Sequence, residues 1–145
     1  MKPEQLAQAV FEAMYNKDAF SQWLGIQALE IRPGYARLRM VVRPEMLNGF
    51  GIAHGGITFS LADSALAFAS NSRGKQALSL DTSINHLVPV QNQTILVAEA
   101  TEESLRNATG LYRVEVRNDE TGDLVALFKG VVYRTSRDWF PQKDL

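Results

Sequence analysis

Asp63 is the residue least at home among its neighbours. Leu61 and Ala62 precede it, and Ala65, Leu66, Ala67 and Phe68 follow, in a run from Ile57 to Ser72 that contains no Pro or Gly. The segment Pro44–Ser72 contains no Lys or Arg, and its only other acid is Glu45. An ionised carboxylate in an apolar helix is costly unless it is paired or hydrogen-bonded, and such perturbed acids concentrate at functional sites. Two ordinary readings compete: an Asp facing a water-filled crevice, and one bonded to a distant Arg37 or Arg113. Just upstream lie Gly49, Gly51, Gly55 and Gly56. The amides of Gly55 and Gly56, at the start of the expected helix, lack intrahelical acceptors and point along the positive end of its dipole. Amides so placed can hold an anion or a developing oxyanion. A carboxylate base or nucleophile together with an oxyanion donor is equipment for attack on a carbonyl.

The spacing adds a constraint. Eight residues of helix separate Gly55 from Asp63, about 12 Å at 1.5 Å per residue. Both groups must come within roughly 3 Å of one reacting centre. If they act on the same carbonyl, they belong to two chains, and the site is shared across a dimer.

Other chemistries fail on residue type. Gly51-Ile-Ala-His-Gly55 has the outline of a nucleophile elbow, but Ala53 stands where the serine is needed. No Gly-Lys-Ser/Thr follows the glycines, which excludes a P-loop, and no strand–helix–strand frame supports a dinucleotide fold. A conventional zinc site would need carboxylates beside His54 and His86, and no ligand spacing is visible. His54, next to a tight turn, reads more readily as a loop-stabilising hydrogen bonder than as a catalyst. The chain has no cysteine, so disulfides and thiol catalysis are out. A net charge of −1, with 21% charged residues, argues against a nucleic-acid footprint. No apolar run approaches a membrane span, and the N-terminus does not read as a signal peptide. The expectation is a cytoplasmic protein with no metal and no membrane partner.

The elements that must position these groups fit one domain over residues 1–145, which is 46% hydrophobic. Residues 3–16 predict an amphipathic helix within an N-terminal segment 1–19, with Leu6, Val10 and Met14 on one face. Residues 18–25 predict a short capped helix ending at Gly25 and anchored to the core by Phe20, Trp23 and Leu24. Pro33-Gly34 joins two strands, the second alternating Ala36, Leu38, Met40 and Val42 against Tyr35, Arg37 and Arg39. After the long helix come strands at 77–88, 94–103, 109–117 and 124–134, read as a four-strand meander. Tyr112, Val114 and Val116 face inward in the third of these, and 118–122 makes a hairpin turn. A polar tail over 136–145 carries Trp139 and Phe140, docked on the surface or on a partner chain. The fold class is α+β: an antiparallel sheet that encloses one apolar helix only by curling around it.

The combination Leu47-Asn-Gly, His54-Gly-Gly, Leu61-Ala-Asp-Ser-Ala and Ala126-Leu-Phe-Lys-Gly130 resembles the hotdog-fold acyl-CoA thioesterases, notably the phenylacetic-acid-degradation type, over roughly residues 20–134. The resemblance implies hydrolysis of an aryl-acyl coenzyme A thioester with no dissociable cofactor. It implies a homodimer, commonly paired into a tetramer, with Asp63 as nucleophile or general base opposite the partner's His-Gly-Gly loop. Gly55 would polarise the carbonyl, Asn48 would orient thioester or water, and Ser64 would hydrogen-bond in the same site. His54, Gly56 and Asn85 would contact substrate. Arg106 and Lys129 are candidate substitutes for the phosphate-contacting Arg of the family, a solvated charge being the more ordinary reading of each. There are departures. Phe50 and Ile52 stand where more polar residues are frequent, and Val88 replaces an Arg in Asn85-His-Leu-Val-Pro89. A non-catalytic acyl-CoA binder, and a hotdog hydratase or dehydratase using His54 as base, are the readings left open.

Overall fold

The computed structural model describes residues 1–141; positions 142–145 of the expected tail lie outside the described residues. Helix α1 (Pro3–Tyr15) begins at a proline, which suits a first turn where no intrahelical N–H bond is lost. It buries Ala7, Val10 and Phe11, the last edge-on to Phe68 with ring centroids 4.9 Å apart. Helix α2 (Ala19–Leu24) is capped by Asp18, which accepts from the Ser21 N–H, and stops at Gly25 in the left-handed region, φ +73°. Of its three expected anchors only Leu24 is buried. Phe20 and Trp23 stack on each other in solvent, 53% and 49% exposed, with the Arg43 guanidinium over the Trp23 ring. A helix of under two turns presents only one narrow face inward, and Ser21 and Leu24 occupy it.

Strands β1 (Gln27–Arg32) and β2 (Tyr35–Val41) form the expected hairpin, its turn relying on Gly34 at φ +71°. A single 3₁₀ turn at Pro44–Met46 leads through the glycine loop into α3 (Gly55–Asn71). Strands β3 (Lys75–His86), β4 (Ile95–Leu105), β5 (Thr109–Asn118) and β6 (Leu124–Asp138) complete one antiparallel sheet. Its order is β1-β2-β4-β5-β6-β3, so the four-strand meander is corrected. β4, β5 and β6 follow one another, but β3 pairs with β6 at the far edge and β4 pairs with β2. Pro89 in the β3–β4 connection is incompatible with a continued ladder, and α3 spans the concave face from β2 to β3.

Alternation settles the faces as expected. Ala36, Leu38, Met40, Tyr112, Val114 and Val116 are buried against α3, while Arg37, Arg113, Glu115 and Arg117 lie on the outer face. Gly130 of β6 lets the sheet approach the helix closely: a Cβ there would fall 2.6 Å from Leu66 Cδ2. The helix is not enclosed all round. Gly56 is exposed, and Ser60, Asp63 and Ala67 are only half-buried, leaving one lengthwise stripe open.

The end of α3 is pinned by buried Asn71. Its amide donates to the carbonyls of Ala67 and Ala77, and its oxygen accepts from the Ala77 N–H at 2.8 Å and from Trp139 Nε1 at 2.9 Å. The first residues of the expected tail therefore continue β6 to Asp138, and Trp139 docks on its own chain. Asn71→Ala leaves two N–H donors without acceptors, a loss of about 2 kcal/mol. Denaturant titration is expected to show a lower midpoint at unchanged slope.

Candidate active site

The loop ahead of α3 is a small hydrogen-bonded knot. The Asn48 N–H donates to Ile52 O at 2.8 Å, and Gly51 N–H returns to Asn48 O at 3.0 Å. Gly51 sits at φ +77°, a conformation glycine takes without penalty. Asn48 Oδ1 accepts from the Phe50 and Ile52 amides, which aligns the side chain and leaves its NH₂ as the end with donors to offer. His54 caps α3: its Nδ1 accepts from the Gly56 N–H at 2.9 Å. The neutral ring therefore carries its proton on Nε2.

This cap divides the two glycine amides. Gly56 is committed to His54, whereas the Gly55 N–H meets no acceptor among the described residues. The expected pair of backbone donors is thus one. Gly55 lines a cleft of about 280 Å³ together with Asn48, Ile52, Thr58, His86, Val88 and Val90. Apolar Ile52, Val88, Val90 and Val125 share the walls with polar Asn48, Thr58 and His86, and the N-terminus of α3 opens into the cleft at Gly55.

Asp63 lies two turns further along, in a different groove. That groove, about 210 Å³, runs between α1, α3, β3 and β6, with Met14, Leu66, Ala67, Leu78, Ser79 and Val132 around the carboxylate. No hydrogen bond or ion pair reaches Asp63 among the described residues. Arg113 pairs instead with Glu115, and Arg37 stands opposite Glu99 on the outer face. Burial pushes the Asp63 carboxyl above its ordinary range, and the negative charge of Asp18 raises it further.

The remaining candidates divide. Ser64 is buried and hydrogen-bonded to Ser21 Oγ at 2.8 Å, and Ser21 in turn donates to Asp18 at 2.6 Å. It ties α2 to α3 beside Asp63. Asn85 is exposed and does not line the Gly55 cleft; the next residue, His86, does. Successive strand residues face opposite ways, so these two cannot share that cleft. Arg106 sits exposed in the β4–β5 turn, outside both clefts, and Lys129 stands opposite Arg113 on the sheet. Ser79, Asp18 and His86 are contributions the sequence did not announce. Each meets the site through a fold contact between distant segments, for which spacing along the chain carries no signal. No grouping of His, Asp and Glu suited to a metal ion occurs among the described residues, and none of their helices could cross a membrane.

With this geometry in view, the thioesterase superfamily matches residues 50–125. The chain belongs to that superfamily, and its six-stranded sheet curled on one long helix is the hotdog fold. The acyl-coenzyme A thioesterase PaaI of Escherichia coli K12 is 39% identical over 122 residues, 84% of this chain and 86% of that protein. The solved E. coli PaaI structure superposes with a TM-score of 0.90 at 36% identity, covering 93% of this chain and 97% of that one. A point variant of the phenylacetic acid degradation protein PaaI from Thermus thermophilus gives 0.78 at 42% identity, covering 81% and 100%. A Streptococcus mutans protein bound to acetyl CoA gives 0.75 at 26%, covering 78% and 90%. Within the superfamily the chain is of the PaaI type, a thioester hydrolase.

The raised Asp63 carboxyl carries a stability consequence with a definite sign. Its folded pKa lies above the unfolded one, so ionisation opposes folding. That penalty is absent below the unfolded carboxylate range near pH 4, and it is complete once the pH exceeds the folded pKa. Asp63→Asn is therefore expected to melt at a higher temperature than the parent at pH 7. The gap should close as the pH falls through about 4 in a melting series across buffers.

Proposed function

We propose that this protein hydrolyses aryl-acyl coenzyme A thioesters at a site built by two copies of the chain. The observation that carries the reading is the separation of Gly55 and Asp63 into two clefts on one helix. Each cleft holds half of what carbonyl attack requires, and a second copy in antiparallel orientation supplies the missing half. Three features support that copy. β3 is a free sheet edge of twelve residues, and a long bare edge invites pairing. Leu78 and Leu80 on it are 67% and 65% exposed. Beside it runs the open stripe of α3, which carries Asp63 itself.

Register follows from the same positions. Gly55 lies against His86, and Asp63 beside Ser79. A two-fold axis between Thr82 and Ser83, midway from Ser79 to His86, sets the Ser79 end of one β3 against the His86 end of the other. Asp63 of one subunit then faces Gly55 of the second. The tetramer expected from the family would pair two such dimers without altering the site.

In the reaction, the thioester carbonyl enters the Gly55 cleft, its oxygen on the Gly55 N–H at the positive end of α3. The Asn48 NH₂ orients the acyl group or the attacking water. Asp63, acting as the carboxylate and made more basic by its burial, takes a proton from the attacking water. The apolar residues Ile52, Val88, Pro89, Val90 and Val125 in the lining suit an aryl acyl group, and coenzyme A leaves as thiolate. A hydratase reading is disfavoured because His54 Nδ1, the nitrogen a base would use, already accepts the Gly56 N–H.

Asp63→Asn is expected to lower kcat by roughly 10²- to 10⁴-fold, the size of loss that removal of a general base causes, while isothermal titration shows CoA-thioester binding retained. If the parent turns over no thioester in a panel of aryl, short-chain and long-chain CoA substrates, the non-catalytic binder replaces this reading. Gly55→Pro is the sharper companion. Residue 55 is the first helical position, and His54 before it is extended at φ −60°, ψ 137°, a conformation that proline's neighbour accepts. The change deletes one N–H and brings a Cβ to 3.2 Å from His86 Nε2, so both effects fall within the same Gly55 cleft. Mixing refolded Asp63→Asn and Gly55→Pro chains should restore roughly a quarter of parental activity, since half the dimers are mixed and each has one intact site. No recovery would place the whole site within one chain.

A further inference from the structure

The cap on α3 leaves the reaction short of a donor. An oxyanion forming in this cleft draws its stabilisation from preorganised donors around it, and the start of α3 supplies the Gly55 N–H alone because Gly56 is held by His54. The heavy atoms closest to where a Cβ of Gly55 would stand all belong to His86, with Nε2 at 3.2 Å and Cε1 at 3.4 Å. His86 is the last residue of β3, paired with Ala126 of β6, so its backbone is fixed by the sheet. Its ring lines the same cleft as Asn48 and Gly55. Among the described residues the imidazole makes no hydrogen bond. Glycine at 55 also matters for this ring, since a Cβ there would lie 3.2 Å from Nε2 and press on it.

We propose, on the thioesterase reading above, that His86 is a catalytic residue whose Nε2–H donates the second hydrogen bond to the thioester carbonyl oxygen, beside the Gly55 N–H. The attacking oxygen adds to the carbonyl carbon, and the C=O π pair moves onto oxygen between these two donors. The pair returns as the C–S bond breaks and sulfur departs with its electrons. A thiolate leaves readily without a proton, thiols titrating near ~8.5, so the demand for a donor falls on the carbonyl oxygen and not on the leaving group. His86 neither gains nor loses a proton in the cycle. Neutral imidazole and imidazolium can both offer the Nε2–H.

The test pairs kinetics with a readout that needs no turnover. His86→Phe keeps a planar ring and removes the N–H; His86→Gln restores a donor of similar reach. For benzoyl-CoA hydrolysis, His86→Phe is expected to lose roughly 100-fold in kcat, the scale of one oxyanion donor, with KM changed by less than about threefold. His86→Gln should regain most of that loss. In the Asp63→Asn background, carbonyl-labelled benzoyl-CoA is bound without hydrolysis and its C=O stretch is read by difference infrared spectroscopy. The downshift on binding should shrink with His86→Phe and return with His86→Gln. Parental kcat in His86→Phe, equal losses in Phe and Gln variants, or a C=O stretch insensitive to residue 86 would each overturn the proposal. A parent without turnover would overturn the thioesterase reading, while the stretch still decides whether His86 touches the carbonyl.

Discussion

A helix rises by a fixed amount per residue, and that constraint shapes the molecule. Its long inner helix carries, among the described residues, a backbone donor without an acceptor at its first residue and a carboxylate without a partner two turns later. No bending of side chains closes a gap of that length. On the two-copy reading proposed above, these are two half-sites that the chain's own folding keeps apart, and catalysis becomes a property of assembly. The sheet serves the same arrangement: it covers the helix from one side and leaves uncovered both the stripe bearing Asp63 and the edge strand next to it.

Holding that helix in place takes close contact and few polar ties. Gly130 lets β6 lie against Leu66 with no room for another methyl. Asn71 fixes the far end to the edge strand and to Trp139. Ser64 and Ser21 join α3 to the short helix whose cap is Asp18. These buried groups are fully hydrogen-bonded, which gives the helix one rotational setting about its axis instead of several. Asp63, half-buried on the open stripe, differs: it has no partner among the described residues and lies near a second negative charge. A carboxyl so treated is a stronger base than one in water, and the fold carries the cost in stability.

The glycine loop shows how donors are allocated. Four glycines close together suggest a surplus of free amides, but folding commits two of them. Gly51 closes the loop and His54 takes the Gly56 N–H, so a single amide stays open toward the cleft. The same cap makes His54 a structural acceptor and directs its remaining proton outward. Chemistry that the loop does not provide has to arrive from another strand, and His86 is the side chain the sheet delivers there.

Local periodicity was enough to read much of this from the chain. Period-two alternation placed Leu38, Met40, Val114 and Val116 inward, Gly34 marked its turn, and an acid among alanines and leucines pointed to Asp63. Those signals are short-range: each depends on neighbours within a few residues, which is why they survive without coordinates. Tertiary structure alone decided that β3 goes to the edge and not beside β4, because a strand's own pattern says which face is buried but not which strand lies next to it. It also decided that Phe20 and Trp23 stay in solvent, that His86 and not Asn85 enters the cleft, and that Gly56 is spent on a cap. Each of these turns on a meeting of segments far apart in sequence, or on which of several acceptors reaches a donor first, and neither is written in residue order.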